Sequence, residues 1–147
     1  MLVRQILKEK REQGVETVAP GITVSKAVEI LSARRFGTLV VSEDGETALG
    51  ILSERDIVRE LGKRGVDCMN RTVAELMTTN LVNCTRDDTA DHVLTKMTEG
   101  RFRHMPVVEG GKMVGLISLG DVVKARLSDL TKEKDVLEGM IWATEPL

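Results

Sequence analysis

The chain has 147 residues, 41% of them hydrophobic and 30% charged, with a formal net charge of −2. That composition describes a globular protein of one ordinary domain, or of two half-domains sharing a core, and excludes a disordered chain. With no basic tract, and only Phe36, Phe102 and Trp142 as aromatics, neither a nucleic-acid groove nor a base-stacking platform is expected.

Residues 2–13 have apolar Val3, Ile6 and Leu7 at helical spacing, and Gly14 is placed to end that helix. Residues 15–19 read as a short extended segment, and Pro20-Gly21 as a turn. Thr23 is placed to cap a helix with Val24, Ala27, Val28 and Leu31 on its apolar face. Residues 38–41 are an apolar, partly β-branched run, hence a strand. Glu43-Asp44-Gly45 reads as a hairpin turn, with Asp-Gly its strong element. Residues 49–52 form the return strand, and Ser53 opens a helix over 54–62 that Gly62 and Gly65 close.

The same order then recurs. Thr72-Val73-Ala74-Glu75-Leu76-Met77 begins a short helix, with Thr72 and Glu75 at capping-box spacing. Residues 81–84 are extended, Thr89 stands where Thr23 does, and Arg101-Phe102 stands where Arg35-Phe36 does. Residues 105–108 are a strand, Gly110-Gly111 a turn, and 113–117 the return strand. The offset between copies is 66 positions before the hairpin turn and 65 after it, so one turn carries an extra residue. This is an internal duplication. Residues 121–141 read as a longer terminal helix, with Val122, Val123, Arg126, Leu127, Leu130, Leu137, Met140 and Ile141 including an apolar stripe.

The duplicated stretch with chemical content is Gly50-Ile51-Leu52-Ser53-Glu54-Arg55-Asp56, repeated as Gly115-Leu116-Ile117-Ser118-Leu119-Gly120-Asp121. Each copy puts a hydroxyl, a carboxylate and the free N–H groups of a first helical turn at one strand-to-helix junction. Such a corner suits a polyol or a phosphate. Read singly, it is better taken as a capping box; two copies in matching surroundings shift the balance toward the ligand corner. No apolar run is long enough to span a membrane, and the charged N-terminus does not read as a signal peptide. Cys68 and Cys84 lack metal-ligand spacing and read as free thiols in a reducing cytoplasm.

With its two Gly-aliphatic-aliphatic-Ser-x-x-Asp stretches, its Arg103-His104-Met105-Pro106-Val107-Val108 strand and the Thr72–Met77 lead-in, the chain resembles a tandem pair of CBS domains, or Bateman module. The resemblance covers roughly residues 3–127 and implies an α+β fold of two pseudo-symmetric β-α-β-β-α repeats with extra N- and C-terminal helices. The boundaries expected are 3–66 for the first repeat, 72–127 for the second and 128–147 for a C-terminal helix or tail, all within one module spanning 1–147.

The resemblance implies binding of an adenosyl compound, such as AMP, ADP, ATP, NAD(H) or S-adenosylmethionine, by a regulatory or sensor module that signals to a regulated protein. Asp56 and Asp121 would take ribose hydroxyls, and Ser53 and Ser118 phosphate or ribose. The first base slot would involve Thr17, Val18, Gly37, Thr38 and Leu39, with Arg55 for phosphate. The second would involve Asn83, Cys84, His104, Met105 and Pro106, with Arg103 and His104 also the candidate cations. Val40 stands where the second repeat has Pro106. A homodimer is expected, with the apolar stripe of the last helix as its interface. A pure oligomerisation scaffold is the rival. No catalytic residues, catalytic cofactor or metal site are expected, and the chain is too short to hold the barrel of an inosine-monophosphate dehydrogenase, an enzyme in which such pairs occur.

Several of these residues have a plain structural reading as well. Arg35 and Arg101 are solvated helix ends or ligand contacts, and His104 is a structural histidine or a phosphate donor. His92 reads as surface, Met69, Met77, Met97, Met105 and Met113 as core filler, and Cys84 as a packed small residue.

Overall fold

The computed structural model describes residues 1–10 and 15–144, with side chains to residue 140. The elements are α1 (Val3–Lys10), β1 (Thr17–Val18), α2 (Val24–Arg34), β2 (Thr38–Val41), β3 (Gly50–Ser53), α3 (Glu54–Arg64), a 3-10 turn (Val66–Asn70), α4 (Val73–Leu76), α5 (Ala90–Gly100), β4 (His104–Glu109), β5 (Lys112–Ser118) and α6 (Leu119–Thr144). This is the expected α+β order, one copy after the other. The end expected of the first helix at Gly14 lies outside the described residues. Among the described residues, no helix is long and apolar enough to cross a membrane.

The chain divides into two compact units. One comprises Gln13–Asn83 with Pro106–Leu116. Its sheet has the order β1-β2-β3. β1 runs parallel to β2, with Thr17 opposite Val40, and β2 runs antiparallel to β3, with Leu39 opposite Leu52 and Thr38 opposite Ser53. Every β2 residue is buried, which is why this strand reads as an unbroken apolar run and not as an alternation. One side chain set, Leu39, Val41 and Leu52, joins Val18, Val24, Ala27, Leu31, Ile57, Val73 and Leu76 in the core. Val40 and Ile51 join Met113 in a second cluster. Burying one such Leu contributes about 1.5–3 kcal/mol.

The turns obey local chemistry. Asp44 accepts from the N–H groups of Glu46 and Thr47, both at 2.8 Å, and Gly45 has φ of 78°. These bonds hold the Asp44 carboxyl down to about 2. The second hairpin closes on Gly110 and Gly111, with φ of 57° and 77°, the two-residue turn that matches strand twist. Gly62 does not close its helix. α3 runs past it to Arg64, since one interior Gly costs a helix only about 1 kcal/mol. Gly65, at φ 75°, ends it instead.

The other unit comprises Met1–Glu12, Cys84–Met105 and Ile117–Leu147. α5 and α1 both pack on α6. Val3, Ile6, Cys84, Ala90, Val93, Met97, Met105, Ile117, Val122 and Ala125 are its buried apolar side chains. Residues 81–83 are not a strand here; only Cys84 makes a bridge, where the first copy has β1.

The two lead-in helices are used in the same way. In one unit the N–H of Val24 donates to the Arg71 carbonyl and that of Val73 to Ile22. In the other the N–H of Ala90 donates to the Met1 carbonyl and that of Val3 to Asp88. Bridges Thr23–Thr72 and Leu2–Thr89 sit between these bonds. Thus α4 closes the start of α2, and α1, first in the chain, closes the start of α5. The capping box expected at Thr72 and Glu75 does not form. The Glu75 carboxylate instead pairs with Arg71 at 3.4 Å.

Candidate functional site

Strand β3 ends and α3 begins at the first corner. The Ser53 hydroxyl accepts from the Asp56 N–H at 3.2 Å, while Asp56 Oδ2 accepts from the Ser53 N–H and hydroxyl, both at 2.9 Å. This is a complete capping box. Asp56 Oδ1 accepts from Arg59 Nη2 at 2.8 Å and from the Thr78 hydroxyl at 3.5 Å. Four donors therefore converge on a carboxylate that is only 6% exposed. The N–H of Glu54 donates to the Gly37 carbonyl at 2.9 Å, which ties the corner to the residue preceding β2. Gly50 permits Thr78 to come this close. A Cβ there would lie 2.6 Å from Met77 Sδ and 2.9 Å from the Thr78 carbonyl.

The second corner repeats this frame with different partners. Asp121 Oδ2 accepts from the Ser118 N–H at 2.9 Å, and the Ser118 hydroxyl accepts from the Asp121 N–H at 3.1 Å. The N–H of Leu119 donates to the Arg103 carbonyl at 2.8 Å, as Glu54 does to Gly37. The outside partner is the Lys10 ammonium, 2.8 Å from Asp121 Oδ2. Asp121 is 21% exposed and Lys10 18%. Burial works against the charge on Asp121, yet the Lys10 ammonium and the Ser118 N–H hold its carboxyl below the usual carboxylate range.

His104 stands beside this pair. Burial, then the Lys10 charge, depress its pKa below 6.5, with Asp121 pulling the other way and Arg103 adding to the depression. Its surroundings thus favour the neutral imidazole, and the cation that meets Asp121 is Lys10. An imidazole whose proton would enter a half-buried space already holding an ammonium gives that proton up.

The remaining predicted site residues fall into two groups. Val18, Leu39, Cys84, Met105, Pro106 and Thr38 are buried, with the Thr38 hydroxyl donating to the Leu52 carbonyl at 3.3 Å. Burial, with Asp88 adding to it and Lys96 opposing, pushes the Cys84 thiol up to about 12, so it behaves as a packed apolar group. Thr17 is half-buried, while Gly37, Arg55, Asn83 and Arg103 are exposed. Arg35 and Arg101 prove to be C-caps, both left-handed, with φ of 56° and 55°. Lys10, Arg59 and Thr78 were not foreseen. Arg59 lies one turn beyond Asp56 on the same helix and was open to discovery by its spacing. Lys10 is the last residue of α1 and Thr78 lies just past α4, and no local signal ties either to a corner.

Residues 3–63 and 73–128 match the CBS domain family. A CBS-domain containing protein from Agrobacterium tumefaciens is 40% identical, with a TM-score of 0.81 over 86% of this chain and 99% of that one. The crystal structure of CBSX2 in complex with AMP is 29% identical, with a TM-score of 0.67 over 80% of this chain and 90% of that one. The CBS domain-containing protein CBSCBSPB2 of Arabidopsis thaliana is 30% identical over 139 residues. That alignment covers 94% of this chain but only 25% of the relative, so the chain spans about a quarter of that relative's length. With two matched stretches that together take in most of its residues, the chain belongs to the CBS-domain family and carries two CBS repeats.

Proposed function

We propose that this chain is a non-catalytic regulatory module that binds an adenosyl ligand of the AMP, ADP, ATP or NAD(H) class at its serine–aspartate corners. The observation that carries this reading is the Asp121 carboxylate. It is aimed by the Ser118 N–H at the start of α6, holds an ammonium, and stays partly open to solvent. A ribose diol is a pair of donors that fits such a carboxylate, and the free N–H groups of the helix suit a phosphate. The AMP complex of CBSX2 supports the ligand class. Around the second corner, Cys84, His104, Met105, Pro106 and Asn83 are the residues we assign to the base, and Arg103 to phosphate. Around the first, Thr17, Val18, Gly37, Thr38 and Leu39 would serve the base and Arg55 the phosphate. Because Val18 and Leu39 have their side chains in the core, they would contribute main chain.

The ligand acts by favouring one orientation of the repeats over another, which requires different affinities in the two, and a regulated protein reads the result. A thermal-shift screen with adenosine, AMP, ATP, NADH and S-adenosylmethionine tests the binding. Ligand at 100 times its Kd stabilises by about 2.7 kcal/mol. No shift with any of them, and no heat by calorimetry, would leave an oligomerisation scaffold. One observation favours that reading for the first corner alone, namely that Asp56 is already buried and fully bonded.

The oligomer we propose is a homodimer. α6 exposes Val123, Leu127, Leu130, Val136 and Leu137, an apolar set open to solvent among the described residues. Sedimentation at low micromolar concentration should show a dimer, and removal of residues 128–147 should weaken it. Monomer throughout, with and without nucleotide, rejects it.

A further inference from the structure

We infer that Lys10 is a ligand-binding residue of the second corner, and that it selects an adenosyl ligand carrying a phosphate over one that carries none. The inference rests on the reading that Asp121 holds a ribose. Lys10 lies outside both copies of the serine–aspartate stretch, yet its ammonium is 2.8 Å from the Asp121 carboxylate. Backbone bonds fix its helix, with Val3 N–H on the Asp88 carbonyl at 2.9 Å and Arg4 N–H on the Arg86 carbonyl at 3.1 Å. The charge therefore arrives on a positioned element and is not carried by a loose surface chain. It is only 18% exposed, where screening by water and salt is weaker than at the surface.

The chemistry of displacement sets the preference. A ribose diol donates to a carboxylate, so it must compete for Asp121 with the donor already there. A neutral nucleoside gains the diol bonds and disturbs an ion pair without replacing it. A nucleotide brings an anion that accepts from the displaced ammonium, so the charge stays partnered. Burial and the Lys10 charge favour the neutral form of His104, and the exposed Arg103 can meet a phosphate without having to leave Asp121, so Lys10 is the cation whose pairing the ribose disturbs. At the first corner the cation on Asp56 is Arg59 of its own helix, which is 50% exposed, so water can take over its pairing in a way the 18% exposed Lys10 does not allow.

Calorimetry with AMP and with adenosine, on the full chain and on Lys10→Met, Lys10→Arg and Asp121→Asn, tests this. The binding event that Asp121→Asn removes is the second corner. There Lys10→Met should weaken AMP about 10- to 100-fold. It should leave adenosine within about twofold of the unaltered chain or tighten it, and Lys10→Arg should recover most of the AMP affinity. Equal AMP affinity in Lys10→Met and the unaltered chain would overturn the role of Lys10 while leaving the nucleotide reading in place. Parallel losses for AMP and adenosine would also overturn it, since Lys10 would then only position Asp121. If the unaltered chain binds neither compound, both readings fall.

Discussion

The two corners share a frame and differ in what completes it. At Asp56, four donors saturate a carboxylate that solvent scarcely reaches, and all but one of them come from its own corner and helix. At Asp121, one local N–H and one ammonium from the far end of the chain hold a carboxylate that is still accessible. The same Ser-x-x-Asp spacing is thus a buried, saturated helix cap in one repeat and a partly exposed carboxylate paired with the ammonium of α1 in the other. A motif defines the frame, while the residues that face it across the fold decide whether it is structural or functional.

Substitution by alanine should separate the two most sharply. Asp56→Ala strands the Ser53 N–H and hydroxyl, the Thr78 hydroxyl and the Arg59 guanidinium around a buried hole, and should cost about 2–3 kcal/mol of stability in urea unfolding. Arg59 and Thr78 retain access to water, which keeps the figure below that of a fully enclosed pair. Asp121→Ala removes a cap that is already partly open to water and should cost about 1 kcal/mol while weakening nucleotide binding about 10- to 150-fold. Equal stability losses would erase the distinction between cap and site.

The smallest effect is a titration. Both Asp121 and His104 have folded-state pKa values below their ordinary ones. Each therefore contributes stability that is present above the ordinary value and lost as pH falls through the folded one. Acidification from pH 6.5 should begin to destabilise the protein through His104, with Asp121 adding its loss below 3.8. By proton NMR, the His104 imidazole should titrate below 6.5 and move upward in Lys10→Met. A midpoint at or above 6.5 in the unaltered chain would restore His104 as the phosphate-binding cation. Neutral His104 also implies that nucleotide affinity at the second corner is flat between pH 7 and 8.

Much of this fold is legible locally. Thr23 and Thr89 cap their helices, with bonds of 3.1 Å to Lys26 and His92 N–H, because a hydroxyl before a helical apolar pattern has few other uses. The β2 run and the Asp and Gly turns follow from backbone preference alone. Duplication then makes the corners visible as a pair. What stays hidden has non-local causes. Thr72 looks like the Thr of a capping box, but its hydroxyl caps nothing and Glu75 pairs with Arg71 instead. Lys10 looks like one of several solvated lysines on an amphipathic helix, and only the closing of α1 onto the start of α5 brings it to Asp121. Arg35 and Arg101 carry no mark of the left-handed conformation, which Gly or Asn would have announced.

The placement of the lead-in helices bears on the order in which the protein assembles during synthesis. α4 reaches α2 within one continuous stretch of chain, so the sheet β1-β2-β3 and its helices can close while the ribosome is still making the second copy. α1 is made before any of them and waits longest, because its partners lie at the start of α5 and on α6. Until then Val3 and Ile6, buried in the finished protein, are exposed to other chains. Loop closure over so long a separation also slows the last step. The second corner therefore closes only after the first, since its ammonium stands on α1 and its carboxylate at the start of α6.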